Sequence, residues 1–134
     1  MTHRHILYHA ASPVLLAVCA SSLIACMPGT GARHKDLEVQ DTIHHFGDLQ
    51  LNTGYSTHRF WVFNRSDKNL VVLDAVPSCS CMKATYCRDV ALKDDSLWID
   101  VSFDTNEYLG DFGKSVSVRT TLGNFSLRID GFVE

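Results

Sequence analysis

Residues 97–104 read LWIDVSFD. Leu97, Ile99, Val101 and Phe103 are apolar, and Trp98, Asp100, Ser102 and Asp104 alternate with them. In an extended chain a period of two puts one set on each face, so this stretch predicts a strand with one face in a core and the other against water. The same alternation recurs at Val116 and Val118 against Ser117 and Arg119, and at Phe125, Leu127 and Ile129 against Ser126, Arg128 and Asp130. His58–Phe63 and Leu70–Val76 are denser in apolar and β-branched residues and predict two more strands. Between them, Asn64, Ser66, Asp67 and Asn69 supply turn chemistry. Gly123-Asn124 predicts a tight turn between the last two strands. No window sustains a helical period. About seven short strands at this spacing predict an all-β fold, an antiparallel immunoglobulin-like β-sandwich over residues 37–134, with a small closed barrel as the alternative.

Upstream the character changes. Residues 1–25 carry one cation, Arg4, and an apolar stretch from Val14 to Ala25. That stretch falls short of the roughly 20 residues a spanning helix needs, and it suits a signal peptide better than a buried helix. Leu23-Ile24-Ala25-Cys26 resembles the bacterial lipobox: an aliphatic residue, a tolerant position, a small residue, then the cysteine whose thiol takes the lipid. Cys19 follows the β-branched Val18 and fits poorly. Cys26 is therefore expected to become the first mature residue and to carry acyl chains such as palmitate. Each buried CH₂ of those chains contributes about 0.8 kcal/mol to membrane anchoring. Residues 26–36, rich in Gly, Pro and small or polar residues, read as a lipidated tether. The chain is then exported and held to a membrane through its lipid. Met27 follows the cysteine, and the first acidic residue after it is Asp36. By resemblance to sorting rules, this directs the domain to the outer membrane, facing the periplasm, in a host with two membranes.

With 12 basic and 15 acidic residues, the chain has a net charge of −3. It lacks the basic footprint that nucleic acid requires. It contains no Gly-rich phosphate loop, Gly-x-Ser-x-Gly elbow or His-Glu-x-x-His motif, and no paired acid and base stand out. The expected role is a non-catalytic binding or assembly module with an envelope protein or a glycan as partner. Phe60, Trp61 and Phe63 fit alternating core and surface positions, with a carbohydrate platform as the alternative. Asn64-Arg65-Ser66 and Asn124-Phe125-Ser126 match N-glycosylation acceptors, which a bacterial lipoprotein has little use for.

Several stretches together carry a resemblance. They are His44-His45-Phe46-Gly47, Phe60 to Asn64, Ser78-Cys79-Ser80-Cys81 and Val101-Ser102-Phe103-Asp104, followed by Gly110-Asp111-Phe112 and Leu127 to Val133. In order and spacing they resemble the bacterial domain-of-unknown-function family 1573, over nearly all of residues 37–134. The resemblance implies an immunoglobulin-like sandwich, often on exported lipoproteins, and brings no activity. His45 stands where that pattern has Asp, Ser66 where it has glycine, Asn69 where it has proline, and Ser80 where it has glycine between the cysteines.

Once the leader is removed and Cys26 acylated, Cys79, Cys81 and Cys87 remain, an odd number in an oxidising compartment. Cys79 and Cys81 can bond each other if the chain turns at Ser80, as the family's glycine hints. Cys87 can instead bond either one, closing a loop worth roughly 2.5 kcal/mol. A third reading is a periplasmic metal-binding or thiol-redox protein, with Cys79 and Cys81 as a redox pair or as soft ligands for copper or zinc with His44, and Met82 in reserve. The metal set assumes that His44 and Cys81 share a pole of the sandwich. In the fourth the cysteines simply pack. His44 beside Phe46-Gly47 also suits a packing and hydrogen-bonding role.

Overall fold

The alternation at 97–104 becomes the sixth of eight strands in the computed structural model, which describes residues 35–134. In chain order they are β1 (Leu37–Val39), β2 (Ile43–Leu49), β3 (Tyr55–Asn64) and β4 (Val72–Pro77), then β5 (Met82–Tyr86), β6 (Ser96–Asp104), β7 (Gly110–Thr120) and β8 (Gly123–Val133). One sheet has the order β1-β3-β6-β5 and the other β2-β8-β7-β4. This is the strand arrangement of an immunoglobulin-type sandwich, with four strands in one layer and a three-stranded layer extended at its edge.

The eighth strand arises because the first is broken. The Gln40 N–H still donates to the Trp61 carbonyl of β3, whereas the Thr42 carbonyl already accepts from Arg128 N–H of β8. The chain therefore changes sheets over 40–42. Its second half pairs parallel to β8, so the all-antiparallel expectation is corrected at this one edge. Glycine permits the close approach: Gly47 adopts φ 69°, and a Cβ on Gly131 would lie 2.7 Å from the Gly47 carbonyl oxygen and 2.9 Å from the Phe112 ring.

Leu97, Ile99, Val101 and Phe103 are all buried, as their period requires, together with Phe60 and Val62 from β3 and Val116, Val118, Leu127 and Ile129 from the facing sheet. Phe103 stacks on Phe112 across the sandwich with ring centroids 3.9 Å apart.

One turn differs from the sequence reading, and the loop read between the third and fourth strands crosses from sheet to sheet. The tight turn before β8 is Thr121-Leu122, because Thr120 pairs with Gly123 and their bond is reinforced by Thr120 Oγ1 donating to the Gly123 carbonyl at 2.7 Å. Residues 64–69 join strands of opposite sheets, and Leu70 precedes β4 in an isolated bridge to Ala91. Asn64 organises that crossing from inside. It is fully buried, donates to the carbonyls of Lys68 (2.6 Å) and Ala91 (3.0 Å), and accepts from Ser66 N–H and Oγ. Burial removes Asn64 from consideration as a glycan acceptor. The leader, Cys26 and most of the tether lie outside the described residues. The tether's end, Asp36, is already tied to the domain through the bond from Arg65 N–H to its carbonyl.

Candidate functional site

The cysteine stretch occupies the crossing from β4 to β5. Cys79 and Cys81 are joined by a disulfide, with Cα atoms 5.2 Å apart. A turn makes this reach possible: Met82 N–H donates to the Cys79 carbonyl at 3.2 Å. Cys81 N–H points at Cys79 Sγ, 3.1 Å away. Both cysteines are half-buried, and a shallow cavity lined by Ser80, Cys81, Asp104, Glu107 and Tyr108 lies beside them.

Cys87 remains free. The extended β5 lies between Cys81 and Cys87, and six residues at about 3.3 Å each hold them about 20 Å apart. A Cys79–Cys87 or Cys81–Cys87 bridge is therefore corrected by strand geometry. Cys87 Sγ contacts Asp89 instead.

The proposed copper or zinc set of His44, Cys79 and Cys81 is not assembled. His44 sits on β2 and the cysteines follow β4, at opposite edges of one sheet with β8 and β7 between. Three strand spacings amount to about 14 Å. The two do share a level along the strands, since His44 is opposite Ile129, Ile129 opposite Lys114, and Ser78 bonds Ser115. Among the described residues, no group of three or more His, Cys, Asp or Glu is placed to hold a metal ion. His44 instead stacks on His58, which reaches it from the other sheet. Burial, then the neighbouring His45, lowers the His44 pKa, with Asp130 opposing. Burial, then His44, lowers that of His58, with Asp41 and Asp100 opposing.

The most developed surface is the outer face of the β1-β3-β6-β5 sheet. Register sets Trp61 opposite Trp98, Arg59 opposite Asp100, Thr57 opposite Ser102, and Tyr55 opposite Asp104. Arg59 grips Asp100 with two hydrogen bonds, Nε to Oδ1 at 2.6 Å and Nη2 to Oδ2 at 2.7 Å, and its guanidinium lies over the Trp98 ring at 4.6 Å. This bond holds Arg59 still more firmly protonated than usual. Thr57 and Ser102 share a hydroxyl hydrogen bond, and Lys83 Nζ sits 4.1 Å over Tyr55. Trp61 and Tyr55 stay exposed. Because β1 leaves β3 at Gln40, a groove of about 210 Å³ opens beside Trp61, lined by Gln40, Asp41, His58, Arg59, Phe60 and Trp61.

Sequence reasoning reached Trp61 but not its setting. Arg59, Asp100 and His58 escaped it, although Arg59 and Trp61 on one strand and Trp98 and Asp100 on another have matching i, i+2 spacing.

Fold and surface together define an immunoglobulin-like β-sandwich with one built outer face. Residues 37–133 match the family described as "Protein of unknown function (DUF1573)", and the chain belongs to that family. No curated protein matches the sequence. Among solved structures, it is similar to a protein of unknown function from Porphyromonas gingivalis W83, at 12% identity and TM-score 0.61, covering 72% of this chain and 46% of that one. It is also similar to the secreted serine protease VesC from Vibrio cholerae, at 12% identity and TM-score 0.55, covering 75% of this chain and 23% of that one. The VesB protease of the same organism is similar at 16% identity and TM-score 0.52, over 72% and 32%. This chain spans less than half of each, and identities this low show a shared fold alone.

Proposed function

We propose that this protein is a non-catalytic binding module of the cell envelope, exported and held to the membrane through acylated Cys26, with its domain facing the periplasm. The lipobox at Leu23–Cys26 supports the anchor. The observation that carries the binding role is the outer face of β3 and β6. There Arg59 and Asp100 are fixed against each other, while Trp61 and Tyr55 stay partly exposed to solvent. Exposed aromatic rings beside fixed polar groups are what recognition surfaces are made of. The test is a photo-crosslinking amino acid placed at Trp61 in cells, with Leu73 on β4 of the opposite sheet as the control site. The reading expects adducts from position 61 and none from 73. Uncrosslinked monomer alone at both positions would count against it.

A second reading rests on the Cys79 turn. The Cys81 N–H aimed at Cys79 Sγ would stabilise a Cys79 thiolate. A dithiol partner would reduce the bridge to two thiols while itself becoming a disulfide. Thiol counting on native protein after treatment with a dithiol reductant tests this. A rise from one thiol to three on the mature domain supports it, and resistance removes it.

A further inference from the structure

We propose that the Trp61 face and its adjoining groove bind an uncharged polysaccharide, an inference that rests on reading the domain as a binding module. A pyranose presents an apolar C–H face and a rim of hydroxyls. It therefore needs a flat ring to stack on and planar polar groups with several donors and acceptors nearby. Trp61 supplies the ring, with 37% of its surface exposed. Its groove supplies the polar groups: the Gln40 amide both donates and accepts, the Asp41 carboxylate accepts, and the His58 imidazole offers one of each. Arg59 uses two of its five guanidinium N–H donors on Asp100 and keeps the rest. The Asp100 clamp and the Trp98 stack fix that guanidinium in advance, so less ordering is required when a ligand arrives.

The face also has length. From Trp61 to Tyr55 the strand advances six residues, about 20 Å, with an aromatic ring at each end and the Thr57–Ser102 hydroxyl pair between. That span suits a chain of several sugar units better than a single one. Charge narrows the class. Arg59 is paired with Asp100, the far end carries one cation, Lys83 over Tyr55, and one carboxylate, Asp104 opposite Tyr55, and the groove adds Asp41. No excess of positive charge favours an acidic polymer.

Among the described residues, the edge of β3 that β1 leaves suits the same ligand. β1 departs at Gln40, and the Trp61 carbonyl is the last group on that side of β3 to be bonded by it. Two and four residues back, the backbone groups of Arg59 and Thr57 point the same way, toward the groove side.

The test exploits composition. The chain has two tryptophans, Trp61 and Trp98, and both lie on this face, so intrinsic emission reports on it directly. The full mature chain is titrated with uncharged hexasaccharides of β-1,4-glucose, β-1,3-glucose and β-1,4-mannose, and with an acidic hexagalacturonate. The proposal expects a saturable emission change with at least one uncharged hexamer. It expects that hexamer to bind at least tenfold more tightly than its disaccharide and than hexagalacturonate. Trp61→Ala should weaken binding at least tenfold, read calorimetrically, whereas Phe132→Ala on the other sheet should leave it unchanged. No saturable change with any uncharged hexamer, or equal binding by Trp61→Ala, overturns it. If crosslinks from position 61 capture a protein while every glycan fails, the glycan is wrong and the binding module stands. If neither is found, both fall.

Discussion

His44 and His58 stack with ring centroids 3.6 Å apart and planes within 7° of parallel, although one belongs to β2 and the other to β3 of the opposite sheet. Each ring also meets a phenylalanine edge-on, Phe46 for His44 and Phe60 for His58. The pair closes the side of the sandwich where the chain changes sheets. Two stacked imidazoles can lie this close at little cost only while at least one is neutral.

Both pKa values are lowered by burial and then by a neighbouring histidine, so the unfolded chain binds protons more readily than the native one. Stability is then complete above the unfolded value of about 6.5 and is lost as pH falls from there through the depressed native values. Urea unfolding at pH 7.5 and 5 should show a lower midpoint at pH 5. His44→Phe/His58→Phe should flatten that dependence. An unchanged slope between the two would contradict the assignment.

Phe103→Ala tests the inter-sheet core. Phe103 is fully buried and stacked on Phe112, so truncation removes transfer energy and leaves a cavity. The expected loss is about 3–5 kcal/mol, measured by chemical denaturation.

Asn64→Leu tests the crossing at residues 64–69. The swap preserves bulk but removes Oδ1, which accepts from Ser66 N–H and Oγ, and the amide that holds the Lys68 and Ala91 carbonyls. Orphaning Ser66 N–H and weakening the loop should cost about 2–3 kcal/mol, seen as a lower urea midpoint at unchanged slope. Asn64→Asp should be no milder, since a carboxylate cannot donate to two carbonyls.

Gly131→Ala tests the parallel edge. The new Cβ would press on the Gly47 carbonyl and the Phe112 ring, neither of which yields easily. A loss of about 1–3 kcal/mol is expected, with hydrogen exchange rising first along β2.

The disulfide should be a modest staple. Closing a three-residue loop is worth about 1.6 kcal/mol in the chain-entropy model, so Cys79→Ser/Cys81→Ser should still fold and lose no more than about that much in denaturant titration.

The sheets were legible because period-two alternation at 97–104 and 125–130 reports directly on which face is buried. The broken first strand was not, because its three-residue β1 and half-exposed β2 have too little alternation to register. The turn at Thr121-Leu122 was misplaced because Gly123-Asn124 has ideal local turn chemistry, and pairing across eleven residues of β7 and β8 overrode it. The cysteine site was only half legible. Spacing shows that Cys79 and Cys81 are close, but the distances to Cys87 and His44 depend on a strand and a sheet order that no local pattern reveals. The Arg59–Asp100 and Trp61–Trp98 pairs are a matter of register, which exists only once β3 and β6 are paired.

The central claim, an envelope module hung from a lipid, is tested most directly by the intact mass of the membrane-extracted protein. The account predicts a chain beginning at Cys26 and heavier by its acyl groups, with Cys26→Ala abolishing both the processing and the added mass. A chain retaining residues 1–25, or one cut there with an unmodified Cys26 thiol, would contradict it.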